Sequence, residues 1–457
     1  MQRLRAVIMA AGHGKRMKSD TSKVLHKVCG KTMIDRCIEA AERCGAEKTV
    51  IVVGHKAEEV MAHVGSRAEY AFQHELLGTA HAVMQTEPLF EDYSGDVLIL
   101  SGDVPAIMAE TLKECYETHR NSSAAATVLA AKVEDPFGYG RVIEENGEFK
   151  AIVEQKDASD TELAVNLINS GIYFFDSKLL FEAVKKINNN NAQGEYYLPD
   201  VLSVLRAEGK TVSVALMKDY TELLGVNDRF QLAEMDKLIN ARNVSRIMES
   251  GVTVTDPQNT YIGDDVTVGC DTVIEPGCFI FGKTEIGKGC VIGPQTRLTD
   301  MKVGCGVSIA NSVCVESEVQ SGTNVGPFAY IRPNSKIGKN VKIGDFVEIK
   351  NSSIDDGTKV SHLTYVGDSD VGSKVNFGCG TVTVNYDGNH KYRTKIGDNA
   401  FIGCNTNLVA PVEVADNAFT AAGSTITDNV PADSLAIARA KQVNKHGWVT
   451  GRKEKNK

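Results

Sequence analysis

The sequence predicts two successive architectures, an α/β domain with a largely parallel sheet and then a parallel β-helix. Three observations carry this. Up to about residue 226, short β-branched runs alternate with helical segments, the rhythm of an α/β domain. From Asn227 to Ser250 polar and apolar residues mix at helical period without Pro or Gly, and Gly251 ends the run. Beyond it, large aliphatic residues recur every six positions, the spacing of a solenoid whose sides are hexapeptides. The expected division is therefore 1–226, a linker helix 227–250, and 251–457 with a C-terminal tail.

The elements follow in order. Val7-Ile8-Met9 reads as the first strand, Met33 to Cys44 as a helix, Thr49 to Val53 as a strand, and Val97 to Leu100 as a buried strand ending at Ser101-Gly102-Asp103. Ligands of such sheets gather at the carboxyl ends of strands, where both the Gly12 loop and Asp103 fall. In the second half Ile262, Val268, Ile274, Ile280, Ile286, Ile292 and Leu298 form the first six-residue series. The positions four further on (Val266, Thr272, Cys278, Thr284, Cys290, Thr296) are smaller. After a phase slip the series resumes at Val319 to Ile349, then Ile354 to Val366, then Ile396 to Ile426. If three hexapeptides make a coil, residues 18 apart stack about 4.8 Å from one another. Arg332 and Lys350 are 18 apart, as are Cys404 and Ala422. Thr381 to Lys395 breaks the repeat and is expected to project as a loop.

Composition narrows the function. A net charge of −9 argues against a general nucleic-acid binder and favours small phosphorylated substrates met in local basic pockets. The 11 Cys are scattered, with no C-x-x-C pair, which reads as free thiols in a reducing compartment. No run approaches the roughly 18 apolar residues of a membrane span, so the expected location is cytoplasmic.

Two segments carry chemistry. Ala10-Ala11-Gly12-His13-Gly14-Lys15-Arg16 follows the first strand, so its glycines permit a tight turn with backbone N–H groups offered to an anion, and Lys15, Arg16 and Lys23 stand near to neutralise it. Met17 occupies the third glycine position of the dinucleotide fingerprint, and the spacing of a P-loop is absent. In the repeat, Ser361-His362-Leu363-Thr364-Tyr365-Val366-Gly367-Asp368 sets His and Tyr among small and aliphatic residues. His74-Glu75-Leu76-Leu77 begins like a zinc-protease helix, but Gly78 stands where the second His belongs.

Ala10-Ala11-Gly12-x-Gly14-x-Arg16-Met17 with Lys23-Val24-Leu25 resembles the opening signature of the sugar-phosphate nucleotidyltransferases. Gln73 with Leu77-Gly78-Thr79, Gly102-Asp103-Val104-Pro105, Gly138-Tyr139-Gly140-Arg141, Ile152-Val153-Glu154, Asn169-Ser170-Gly171 and Gly225-Val226-Asn227 extend it in order. With the β-helix, nearly the whole chain resembles the bifunctional N-acetylglucosamine-1-phosphate uridyltransferase and glucosamine-1-phosphate acetyltransferase family. The resemblance implies a Rossmann-like nucleotidyltransferase domain followed by a left-handed parallel β-helix, assembled as a homotrimer with acetyl-transfer sites at subunit contacts. It implies UTP and UDP-sugar contacts from Met9, Ala10, Ala11, Gly12, Lys23, Gln73, Gly78, Thr79 and Asn227, with Gly140, Glu154 and Asn169 on the sugar. Arg16 and Lys23 would serve catalysis, and Asp103 and Asn227 would hold Mg²⁺.

For acetyl transfer the same resemblance implies His362 as general base, suited by an imidazole pKa near working pH. Arg332, Lys350, Tyr365, Asn376, Asn385 and Tyr386 would hold the sugar phosphate or the acetyl group. Cys379, Cys404, Ala422 and Arg439 would meet acetyl-CoA. Direct transfer needs no thiol nucleophile, so Cys404 and Cys379, standing where Ser and Ala are expected, read as small turn residues. The implied outcome is UDP-N-acetylglucosamine, a cell-wall precursor of the peptidoglycan and lipopolysaccharide type. The alternative is a single-activity nucleotidyltransferase with a structural β-helix.

Overall fold

The computed structural model describes residues 3–455; Met1, Gln2, Asn456 and Lys457, the outermost residues of the two expected domains, lie outside the described residues. The chain divides into two compact units, Met1–Ile239 and Asn240–Lys457.

The first unit is built on a mixed sheet. Its main path runs Val212–Leu216, Ala126–Lys132, Leu167–Asp176, Asp96–Ser101, Leu4–Met9, Lys48–Val53, Glu69–Phe72. The last four pair in parallel, each reached through a helical connection as parallel pairing requires. Leu167–Asp176 departs from the expected parallel rhythm, running antiparallel to both neighbours. The reason lies in the excursion before it, a hairpin of Arg141–Glu145 and Glu148–Val153 in place of a helix crossing the sheet. The central strands are buried on both faces, which explains their continuous Val, Ile and Leu runs. Thr32 caps the helix Met33–Cys44 by accepting from the Asp35 N–H, and Gly45 closes it in the left-handed region.

The 21-residue helix Arg229–Glu249 contributes Met235 and Ile239 to an apolar cluster with Val28, Met33 and Val226 in the first unit. Val244 and Ile247 belong to the core of the second.

The second unit is a parallel β-helix whose described residues form three sheets of 11, 10 and 9 strands, each strand pairing with the one three strands later until Phe419–Thr420, which pairs with Leu435–Ala436 only two strands on. Its core holds the predicted large positions, and the small positions Val266, Thr272, Cys278, Thr284, Cys290 and Thr296 are all buried. The phase slips have a simple origin. Tyr261 pairs with Phe279, 18 residues on, but Glu285 pairs with Lys302 and Arg297 with Val313, 17 and 16 residues on. Some sides thus hold five residues, and Val303, Ile309 and Cys314 fill the inner positions that a strict six-residue count passes over. The inserted loop is shorter than expected, because Val382–Val384 and Thr394–Ile396 remain strands of the coil and the segment between them protrudes, bridged at Tyr386 and Lys391.

Candidate functional site

Four parallel strands of the first unit release their loops at one end. Backbone bonds lock these loops together: Ala10 N donates to Val52 O, Gly102 N to Met9 O, His55 N to Ala11 O and Gln73 N to Val53 O. Gly14 has φ +58°, and a Cβ there would stand 2.8 Å from Lys23 Cβ, so only glycine lets Lys23 close over the loop. Gly78, at φ +113°, likewise lies against the Tyr196 backbone, whose nitrogen would be 2.8 Å from an added Cβ. The result is a cavity of about 260 Å³ lined by Met9, Ala10, Ala11, Gly12, Lys23, Gln73, Gly78, Thr79 and Asp103. Val24, Leu76, Ala82, Ser101 and Glu195 also line it and were not anticipated.

Lys23 is the electrostatic centre of this cavity. Its ammonium pairs with Asp103 Oδ2 and donates to Asn227 Oδ1 at 3.0 Å; Ser101 Oγ donates to Asp103 Oδ1 at 2.6 Å. Asp103 and Asn227, 124 positions apart in sequence, thus turn their oxygens to one cationic point. A carboxylate and an amide oxygen are hard donors suited to Mg²⁺, which retains waters and phosphate oxygens for its other positions. Among the described residues no group of three or more His, Cys, Asp or Glu could hold a metal.

Gly140, Glu154 and Asn169 form a second cluster. Asn169 N donates to Gly140 O at 2.9 Å, and a Cβ on Gly140 would lie 3.0 Å from Glu154 Oε1. Burial, then the neighbouring Asp157 and Asp200 carboxylates, pushes the Glu154 carboxyl above its usual range. These three do not line the 260 Å³ cavity, and neither does Arg16, which is exposed on the turn Lys15–Met17.

On the β-helix, Arg332 and Lys350 do share an edge. Tyr330↔Glu348 and Ile331↔Ile349 pair in register, and both cations line a cavity of about 380 Å³ with Pro333, Asn334, Asn351, Asp368 and Lys391. Asp368 organises it. Lys350 Nζ donates to its Oδ2 at 3.1 Å, Asn351 Nδ2 to its Oδ1 at 2.6 Å, and Asn385 Nδ2 to its Oδ2. Burial works to raise this carboxyl, but the bonds from Asn351, Lys350 and Asn385 outweigh it and hold Asp368 below its usual range. Asn385 Nδ2 also reaches Tyr365 Oη at 3.4 Å. Arg332 donates to Glu348 Oε1 at 2.8 Å.

His362 does not line that cavity. It ends the strand Lys359–His362, with Nδ1 2.8 Å from Asp345 Oδ1. Next to it runs a column of turns: Gly380 N donates to Leu363 O, Asn405 N to Cys379 O and Gly423 N to Cys404 O. Cys404 and Ala422 therefore stack as the 18-residue arithmetic expects, and Cys379 joins the column from the coil before, across the step that the inserted loop lengthens. A Cβ on Gly423 would lie 3.7 Å from the Arg439 side chain. Asn376 pairs with Lys359 and Phe401 on the same sheet as His362. Tyr386 is exposed in the inserted loop. Asp345, Asn351, Asp368 and Lys391 escaped the sequence reading; the 17-residue step from Asp345 to His362 would have exposed the first, had five-residue sides been allowed.

Residues 5–233 match the nucleotidyl transferase family, and residues 316–351 and 393–428 match the bacterial transferase hexapeptide (six repeats) family. A protein of Clostridium novyi (strain NT) named bifunctional protein GlmU is 54% identical over 446 residues, covering 97% of this chain and 98% of the relative. The chain belongs to the GlmU family. GlmU proteins of Brevibacillus brevis (strain 47), 51% identical over 458 residues with 100% and 99% covered, and of Clostridium botulinum (strain Langeland), 52% identical over 446 residues with 97% of each covered, agree. As a GlmU-family chain it joins an α/β nucleotidyltransferase unit to a left-handed hexapeptide β-helix. No helix among the described residues is long and apolar enough to cross a membrane.

Proposed function

We propose that the chain makes UDP-N-acetylglucosamine by two reactions: acetyl transfer from acetyl-CoA to glucosamine-1-phosphate on the β-helix, then uridylyl transfer from UTP to N-acetylglucosamine-1-phosphate in the first unit, releasing pyrophosphate. One observation carries this reading beyond family membership: each unit has its own cavity with its own lysine and aspartate, Lys23 with Asp103 and Lys350 with Asp368.

For uridylyl transfer, the Gly12 loop offers backbone N–H groups to the triphosphate, and Lys23 and the exposed Arg16 neutralise it. Gln73 and Gly78-Thr79 form the nucleoside side of the cavity, and Glu154, Asn169 and Gly140 meet the sugar. The attacking sugar-phosphate oxygen is already anionic, so positioning and charge neutralisation suffice without a strong base. Asp103 and Asn227 would hold Mg²⁺, which when bound neutralises charge on the phosphates.

For acetyl transfer, Arg332 and Lys350 hold the sugar phosphate, while Tyr365, Asn376, Asn385 and Tyr386 orient the sugar and acetyl group. The column of Cys379, Cys404 and Ala422, with Arg439, seats acetyl-CoA. His362 accepts the amine proton as nitrogen attacks the thioester carbon, and the departing sulfur leaves as CoA thiol. The hexapeptide β-helix suits assembly into a homotrimer whose acetyl-transfer sites form between subunits. The free cysteines suit a cytoplasmic enzyme supplying cell-wall precursor.

The test supplies glucosamine-1-phosphate, acetyl-CoA, UTP and Mg²⁺ to wild type, His362→Ala and Asp103→Ala. His362→Ala is expected to lose CoA release yet convert N-acetylglucosamine-1-phosphate to the UDP-sugar, and Asp103→Ala to do the reverse, each loss about 100-fold or more. Loss of both activities in each variant would overturn the two-site reading; use of another nucleotide but not UTP would overturn the uridylyl assignment.

A further inference from the structure

We propose that Asp345 is a positioning residue for acetyl transfer, its carboxylate holding His362 in the tautomer whose Nε2 is free to take the amine proton. The proposal rests on the reading of His362 as general base. Asp345 ends the strand Lys342–Asp345 and His362 ends Lys359–His362, and the two residues pair directly in parallel register. Both chains then turn through the left-handed region, Phe346 at φ 55° and Leu363 at φ 43°, so the two side chains leave the coil at one corner. Leu363 N donates to Asp345 O at 3.0 Å, fixing the step between the coils. Asp345 Oδ1 then lies 2.8 Å from His362 Nδ1.

An ionised carboxylate only accepts hydrogen bonds, so Nδ1 carries the proton and the lone pair resides on Nε2. The bond from His362, the Asp345 backbone N–H and the charge of Lys342 on the same strand hold this carboxyl below its usual range, ionised at working pH. The next coil brings Cys379 to the same corner. A stability role explains the pair poorly: the His362 and Asp345 side chains are 57% and 40% exposed, and exposed pairs add little. During transfer the C–N bond forms, the amine proton moves to Nε2, the C–S bond breaks, and that proton passes to the leaving sulfur. The transient imidazolium faces Asp345.

Asp345→Asn and Asp345→Ala, made in the full chain, are assayed with acetyl-CoA and glucosamine-1-phosphate across pH. The expected result is a kcat lower by roughly 10- to 100-fold, an unchanged KM for glucosamine-1-phosphate and an unchanged melting temperature. The acidic limb of kcat/KM should move about half a pH unit or more downward, because the imidazolium loses its counter-charge. Wild-type kcat with an unmoved limb in both variants overturns the proposal, as does a raised KM or lowered melting temperature with an unmoved limb. Wild-type CoA release by His362→Ala would instead remove the reading beneath it.

Discussion

Asp368 shows how one buried carboxylate sets the character of a site. It is 5% exposed and accepts from Lys350, Asn351 and Asn385, so it joins strand, turn and inserted loop, while Arg332 on the shared edge pairs with Glu348 instead. Removing it strands an ammonium and two amides, and loss of one partner of a buried pair is more damaging than the pair is stabilising. Asp368→Ala should therefore lower stability by about 2–4 kcal/mol, read as an earlier midpoint in urea. Its folded pKa lies below the ordinary 3.8, so the contribution is fully present above that value and is lost as pH falls through the depressed one. As pH falls from neutral to below 3.8, wild type should lose more stability than Asp368→Asn; parallel losses would show that Asp368 is not the group responsible. Sequence reading reached Lys350 and His362 because a cation or an imidazole is conspicuous in an aliphatic repeat. Asp368 was in plain view in the same segment, but periodicity gives the position of a side chain and not which partners fold back on it.

The elements were legible wherever burial imposes a period. Six-residue spacing marked the coil because each side must turn one large and one small residue inward, and Ile262 to Leu298 obey this, with Val268 alone in that series half-buried. The count failed at five-residue sides, where a turn drops one residue without disturbing the inner position: Leu298 to Val303 and Ile309 to Cys314 keep the core while shifting the phase. The antiparallel Leu167–Asp176 was likewise invisible, since a strand buried on both faces reads alike in either direction. Less visible still was the use of Asn240 and Asn243. An open solenoid end is an unpaired sheet edge, and here Asn240 accepts from Ile262 N at 2.9 Å and donates to Thr260 O at 2.8 Å, while Asn243 donates to Ile262 O at 2.9 Å. Two buried amides thus do for the first coil what another coil would do. Asn240→Leu, which keeps bulk but leaves a buried N–H and carbonyl unmatched, should destabilise the β-helix by about 2–3 kcal/mol, visible as early loss of amide-exchange protection around residues 260–262. Protection equal to wild type there would refute the capping role.

At the scale of the whole molecule, one corner of the coil is unsuited to water. Phe328, Phe346 and Leu363 occupy successive turns, each 57% exposed and each in the left-handed region at φ 58°, 55° and 43°, and the two phenyl rings stack at 5.5 Å. Bulky residues in that conformation carry strain of order 1–3 kcal/mol each, and Asn or Gly would relieve it as Asn311 does one coil earlier. Large apolar side chains held there against both strain and solvation are explained by a surface that is covered in the working enzyme. Because Asp345 and His362 immediately precede Phe346 and Leu363 in the chain, a subunit covering this corner would also close over His362, the proposed general base, and exclusion of water there would strengthen the Asp345–His362 bond. Assembly and acetyl transfer should therefore fail together. Phe346→Asp is expected to run as a monomer in size-exclusion chromatography with light scattering, against a trimer for wild type, and to lose CoA release at least roughly 100-fold, as loss of catalytic positioning does. Uridylyl transfer, whose cavity lies wholly within the first unit, should persist. A trimeric Phe346→Asp enzyme with full acetyl transfer would place the subunit contact on another face of the coil.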